Sequence, residues 1–228
     1  MSKVKRKKTL NVDYEKRTAR IGLIDTETVL EDWDKKELRT RAAYFLLNGI
    51  PEFSVNRKDG GRFALLAAER DFHAVKTMGV TDVEVRVYEF SEKNAETFSI
   101  IEKLKAENLG AMEEAYLMKQ LVQDFQFTQD DVAALIGRSR PAVANTLRLL
   151  TLAPEVVGLV ESGKLSAGHA RTLVRVPKSQ QYAFAEEALK RDYSVREMER
   201  AVKAFLTPPE VLQQESVLHR LLYRPHKH

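Results

Sequence analysis

The stretch from Thr128 to Leu150, TQDDVAALIGRSRPAVANTLRLL, decides the reading of this chain. Thr128 is placed to cap a helix whose first turn holds Asp130 and Asp131, acids that favour the positive end of the helix dipole. Val132, Leu135 and Ile136 fall at i, i+3 and i+4 and share an inward face, while Ala133 and Ala134 leave room for a second helix. Gly137 supplies the left-handed residue of a tight turn. Ser139 caps the next helix, and Pro141 stands in its first turn, where a missing amide costs little. In that helix Val143, Leu147 and Leu150 form the expected buried stripe, with Arg140, Ala142, Asn145 and Arg148 off it. Short or planar hydrogen-bonding groups near a helix N-terminus suit a DNA groove, where Arg pairs with guanine and Asn with adenine. From Arg138 to Val176 there are six basic residues (Arg138, Arg140, Arg148, Lys164, Arg171, Arg175) against two acids, Glu155 and Glu161. The pattern reads as a DNA-binding helix-turn-helix; the competing reading is a helical hairpin with a merely solvated basic face.

Around this motif the chain is helical. Helices are expected over Met112–Phe125, Pro154–Ser162, Ala167–Arg175, Ser179–Arg191 and Val195–Leu206, punctuated by Pro154, Gly163 and Pro177. Upstream the pattern is mixed. Val83, Val85 and Val87 alternate with Glu84, Arg86 and Tyr88 as in a half-buried strand, and Lys58-Asp59-Gly60-Gly61 separates two strand-like runs as a hairpin turn. Lys35–Leu47, Glu69–Met78 and Glu96–Leu104 read as helices. The fold class is therefore α+β: a small mixed domain (21–110) followed by an all-α helix-turn-helix domain (111–206). A basic flexible tail (1–20) precedes them and a short helical tail (207–228) follows.

The chain's 228 residues carry 37 Lys+Arg against 33 Asp+Glu, a net charge of +4, and no cysteine. Absence of Cys excludes disulfide scaffolds, thiolate zinc sites, iron–sulfur clusters and Cys nucleophiles, and suits a reducing cytoplasm. No run approaches the ~20 apolar residues of a membrane span, and Met1–Lys8 lacks the apolar core of a signal peptide. Five basic residues in Met1–Lys8 read as a solvated tail or as a sequence-blind grip on phosphate. The seven residues Gly158–Lys164 have the spacing of a P-loop but not its chemistry, since Leu165 replaces the hydroxyl that would reach Mg²⁺; a helix end at Gly163 is expected instead. Asp130 and Asp131 read as helix-start acids and Trp33 as a partly buried packing residue. Of the five His, only His226 and His228 are close in sequence, so no metal site and no catalytic group is assigned.

The run Gly137-Arg138-Ser139-Arg140-Pro141-Ala142-Val143-Ala144-Asn145-Thr146-Leu147-Arg148-Leu149-Leu150 resembles the helix-turn-helix of the ParB chromosome and plasmid partition family. Gly163-Lys164-Leu165-Ser166-Ala167-Gly168-His169-Ala170-Arg171 resembles the signature that follows it, and Ser194–Glu199 its closing helix. The resemblance implies a homodimer on a palindromic, centromere-like double-stranded DNA site. It implies DNA contacts from Gln129, Arg138, Ser139, Arg140 and Asn145, supported by Gly168, His169 and Arg171; Arg148 and Lys164 join this set by their charge. It also implies a ParA-type ATPase partner, a cytoplasmic, nucleoid- or plasmid-associated location, and an N-terminal module that binds CTP with Mg²⁺. The family's Gly-Glu-Arg-Arg segment corresponds to Ala68-Glu69-Arg70-Asp71, so Glu69 and Arg70 are the candidate nucleotide contacts while Ala68 and Asp71 depart. The second segment aligns with Glu102–Ala106 and keeps only Glu102, with Lys103 and Lys105 as substitute cations; Glu52 stands where a glutamine is expected. An acid beside a triphosphate turns attraction into repulsion, about 4 kcal/mol per pair at 4 Å and an effective dielectric near 20. The expectation is a degenerate pocket and no firm enzymatic activity, with two alternatives: a CTP-hydrolysing sliding clamp, and a transcriptional repressor using the same DNA reader.

Overall fold

The computed structural model describes residues 13–106 and 109–207, which divide into two compact units. The first comprises 13–106 with 125–137, the second 109–124 with 138–207.

The first unit is built on a five-stranded mixed sheet. Its strands are β1 (Glu15–Arg20), β2 (Ile24–Asp25), β3 (Phe53–Arg57), β4 (Phe63–Leu65) and β5 (Asp82–Tyr88), in the order β1-β5-β3-β4-β2. β5 lies antiparallel to β1 and parallel to β3, and β4 lies antiparallel to β3 and parallel to β2. The alternation holds at Val83, Val85 and Val87, which are buried, and at Glu84, which is exposed; Arg86 is half-buried, and Tyr88, expected on the outward face, is buried against Phe90 and Phe98. Helices α1 (Lys35–Asn48) and α2 (Glu69–Thr77) pack together, and Phe53, Val55, Phe72, Ala74 and Val75 are almost wholly enclosed. Trp33 is half-buried against this core, as expected. Helix α3 (Glu92–Lys105) packs against α5 (Gln129–Ile136), so the helix that opens the sequence motif belongs to this unit.

Residues 15–20, expected in a flexible tail, are strand β1 instead. Its side chains are exposed except Ala19, as befits an edge strand whose backbone ladder, rather than an apolar stripe, holds it to β5. Met1–Lys8 and 208–228 lie outside the described residues, so the helical tail and the His226/His228 pair are not described.

The second unit is helical: α4 (Ala111–Gln123), α6 (Arg140–Arg148), α7 (Pro154–Glu161), α8 (Ala167–Leu173), α9 (Lys178–Lys190) and α10 (Val195–Leu206). Its core gathers Leu149, Val156, Ala170, Leu173, Ala185 and Met198. Buried Gln181 on α9 ties three strands of backbone together. Its side-chain oxygen accepts from the Ala153 amide (2.7 Å), and its nitrogen donates to the carbonyls of Leu173 (3.1 Å) and Val176 (2.9 Å). Such a fully satisfied buried amide fixes the packing of its neighbours. Gly163 takes φ +71 just beyond α7, the left-handed helix end expected there. Among the described residues no single helix is long and apolar enough to cross a membrane.

Candidate nucleic-acid interface

α5 begins with the cap that its sequence predicts. The Asp131 amide donates to Thr128 Oγ1 (3.1 Å), and the Thr128 amide donates back to the Asp131 carboxylate (3.0 Å). Gln129 follows, half-buried. The helix closes at Gly137, whose φ of +72 is the left-handed turn. α6 opens on Ser139, whose Oγ accepts from the Ala142 amide (3.3 Å). One lone pair is thereby used, and the hydroxyl proton stays available to an acceptor.

At about 100° per residue, Arg140, Ala144, Arg148, Pro141 and Asn145 span one arc of α6 of roughly 140°. All but half-buried Ala144 are exposed. The opposite side buries Val143 and Thr146, followed by Leu149. The expected stripe is thus corrected: Leu147 and Leu150 are only half-buried. The backbone tightens to a 3₁₀ turn at Leu149–Thr151, where Leu149 takes the core position in place of Leu150.

The other expected contacts divide by surroundings. Arg138 is ion-paired with Glu114 of α4, which anchors the start of α6. Lys164, Arg171 and Arg148 are exposed, and none has an ion pair among the described residues. His169 is occupied at both ring nitrogens: Nδ1 lies 2.8 Å from Ser166 Oγ and Nε2 2.8 Å from the Tyr193 carbonyl. A carbonyl can only accept, so Nε2 donates to it, which pins α8 to the loop before α10. Gly168 is equally tight, since a Cβ there would meet Val195 Cγ2 at 2.9 Å. These two residues position α8 and leave little to offer a ligand directly. No local pattern signals this, because Tyr193 and Val195 lie 24 or more residues downstream.

The candidate nucleotide contacts lie at the start of α2. Ala68, with φ 63 and ψ 38, holds the left-handed conformation that suits glycine. Glu69 turns back to the preceding loop, accepting from the Glu27 amide (2.7 Å) and the Thr28 hydroxyl. Trp33 Nε1 donates to the same Thr28 oxygen (3.0 Å). His73 Nε2 lies 3.3 Å from that oxygen; burial pushes the His73 pKa down, so the ring is neutral at pH 7. Arg70 donates to Glu37 (2.7 Å) and lies over the Trp33 ring. Asp71 is gripped by both ends of the Arg41 guanidinium, and Lys103 pairs with Glu27 (3.3 Å). Glu52 pairs with Lys16 (2.6 Å). Among the described residues, Arg41, Arg70 and Lys103 thus each have an acid on them.

Comparisons with known proteins agree with the residues that carried the resemblance. The ParB HTH domain model matches residues 107–207. The probable chromosome-partitioning protein ParB of Coxiella burnetii is 36% identical over 170 residues, covering 75% of this chain and 59% of that protein. Its counterpart in Campylobacter jejuni is 32% identical over 186 residues, covering 79% of this chain and 67% of that protein. Against the C-terminally truncated chromosome-partitioning protein ParB of Caulobacter crescentus, complexed to the centromeric parS site, the TM-score is 0.70 at 30% identity. That match covers 82% of this chain and 98% of the other. The chain spans about three fifths of the length of the curated relatives it matches first, 59% and 61%.

Proposed function

Because this chain belongs to the ParB family of chromosome-partitioning proteins, we propose that it binds a parS-type centromeric site and reads it with α6. The observation that carries the reading is the division of α6: Asn145 and Arg148 stand exposed beside Arg140, while Val143 and Thr146 hold the helix to its unit. Planar amide and guanidinium groups on one arc supply base contacts, and the cations beyond them supply phosphate contacts that carry no sequence information. Two copies on a palindrome follow from the two-fold symmetry such a site imposes. A ParA-type ATPase and the nucleoid are the partner and location that fit this role.

The start of α2 fits a triphosphate poorly. Arg41 and Arg70 are matched by Asp71 and Glu37, and Glu69 is committed to the loop at Glu27 and Thr28. We therefore read the nucleotide pocket as degenerate and take DNA marking, rather than CTP-driven sliding, as the function. A repressor would need the same reader; genome-wide binding maps separate the roles, a sharp site with broad flanks meaning partition and many narrow peaks regulation.

The test is a competitive titration of parS-type against random duplex. Asn145→Ala and Arg140→Ala should each lose about 1–3 kcal/mol of preference for the site. Lys164→Ala should weaken both duplexes alike and flatten the salt dependence. Equal losses on both duplexes for the α6 variants would refute base reading by α6. Calorimetric titration with CTP, with and without duplex, should show no saturable heat; micromolar binding would overturn the degenerate pocket.

A further inference from the structure

Between α8 and α10 runs a groove of about 460 Å³ whose polar walls are Arg171, Arg175 and Lys203, with Glu199 as the one acid. Gly168 and Val195 also line it, in contact close enough that a Cβ on Gly168 would lie 2.9 Å from Val195 Cγ2. No ion pair holds Arg171, Arg175 or Lys203 among the described residues. Three cations against one acid in a concave groove focus a positive field.

We propose that this groove seats backbone phosphates of duplex DNA, with Arg175 and Lys203 as contacts additional to Arg171. The inference rests on the DNA-binding reading and extends it to further residues of the same unit. Arg171, in the last turn of α8, and Arg175, in the turn just after it, both line the groove. Lys203 faces them from α10 as a compact point charge, suited to phosphate and unsuited to forked base recognition. The residues that fix the groove are those already seen to position α8. His169 ties its first turn to the Tyr193 carbonyl, and Gly168 lets Val195 approach. A competing role exists for the two outer cations. Arg175 stands just beyond α8 and Lys203 in the last turn of α10, where positive charge offsets the helix dipole.

Fluorescence anisotropy of the full chain with parS-type and random duplexes, each over a series of salt concentrations, tests the groove. Arg175→Gln/Lys203→Gln should weaken both duplexes to the same extent and lower the log–log salt slope by about two, close to one per phosphate lost. Glu199→Gln, which removes the opposing charge, should tighten both duplexes. An unchanged slope in the double variant, or a lowered melting temperature with unchanged DNA binding, overturns the inference and assigns these cations to the helix ends. Saturable binding of inorganic phosphate or CTP that the double variant loses, with its DNA slope unchanged, likewise overturns it in favour of a free anion. Failure of the unsubstituted chain to bind any duplex would overturn the DNA reading itself, a result distinct from these.

Discussion

The start of α2 and the groove beside α8 hold similar numbers of cations and use them oppositely. At α2, Arg41 lies on Asp71, Arg70 on Glu37 and Lys103 on Glu27. Beside α8, Arg171, Arg175 and Lys203 share the groove with one acid, Glu199, and none of the three has an ion pair among the described residues. A matched cation is a structural strut with little field beyond its partner, whereas an unmatched one projects charge outward and attracts an anion. Counting Lys and Arg along the chain does not separate the two; only the pairing does.

The contrast predicts opposite outcomes from substitutions on the two sides. The largest expected effect is at Gly168, because the unmatched cations depend on helix packing for their position. Gly168→Ala places a methyl 2.9 Å from Val195 Cγ2, so either the Val195 side chain must turn aside or α8 and α10 must shift apart. Overpacking of this kind costs about 1–3 kcal/mol. Urea unfolding should show that loss, and affinity for random duplex should fall with it; retained affinity would mean that the groove's geometry is irrelevant to binding. Arg41→Ala tests the other side. It strips the half-buried Asp71 of its partner and should lower stability by about 1 kcal/mol, discounted for the exposure of Arg41. DNA affinity should not change. A drop in affinity without a drop in stability would erase the distinction between the two regions.

How far this was legible in sequence depends on whether the cause was local. The α5 cap at Thr128, the left-handed Gly137, the Ser139 cap and the valine alternation of β5 each arise from residues within a few positions, and each stands where it was expected. β1 was missed because an edge strand with one buried side chain leaves almost no period-two signal. Thr146 was passed over for Leu147 because a polar residue rarely marks a core, and the 3₁₀ tightening at Leu149 is a packing outcome. The pairings that decide function are the most distant. Asp71 finds Arg41 across 30 residues, Arg138 finds Glu114 on α4, and His169 finds Tyr193 across 24. The sequence showed Asp71 as a repulsive substitution, and the fold supplies the guanidinium that answers it. In the same way α5 and α6 are adjacent in the motif, yet α5 packs on α3 in one unit and α6 on α4 in the other.

A smaller effect sharpens the α2 side. Ala68 holds φ 63, where an L side chain is strained by about 1–2 kcal/mol, partly offset by the extra chain entropy glycine would lose on folding. Ala68→Gly should therefore raise stability by roughly 0.5 kcal/mol in urea unfolding. The α2 ion pairs should keep CTP binding undetectable in that variant. If CTP binding appears once the methyl is gone, sterics rather than charge matching closed the pocket, and the contrast drawn above loses its electrostatic basis.

The smallest effect concerns the charge cluster at Asp25, another matched site of the first unit. Hydrogen bonds from Arg62 and then Lys58 hold the Asp25 carboxyl at about 2, against 3.8 ordinarily. A carboxyl whose folded pKa is depressed stabilises the fold above its unfolded value, and that contribution fades as pH falls through the folded one. The stability difference between the unsubstituted chain and Asp25→Asn should be constant above about pH 5 and shrink progressively between about pH 4 and 2. The side chain is one-third exposed, so salt should shrink it as well. The substitution leaves Arg62 and Lys58 without their acid, so any change in affinity for random duplex near neutral pH should be a tightening. A pH-independent difference would mean that the two hydrogen bonds do not favour the ionised form. Matched pairs in this unit would then be packing contacts rather than electrostatic struts.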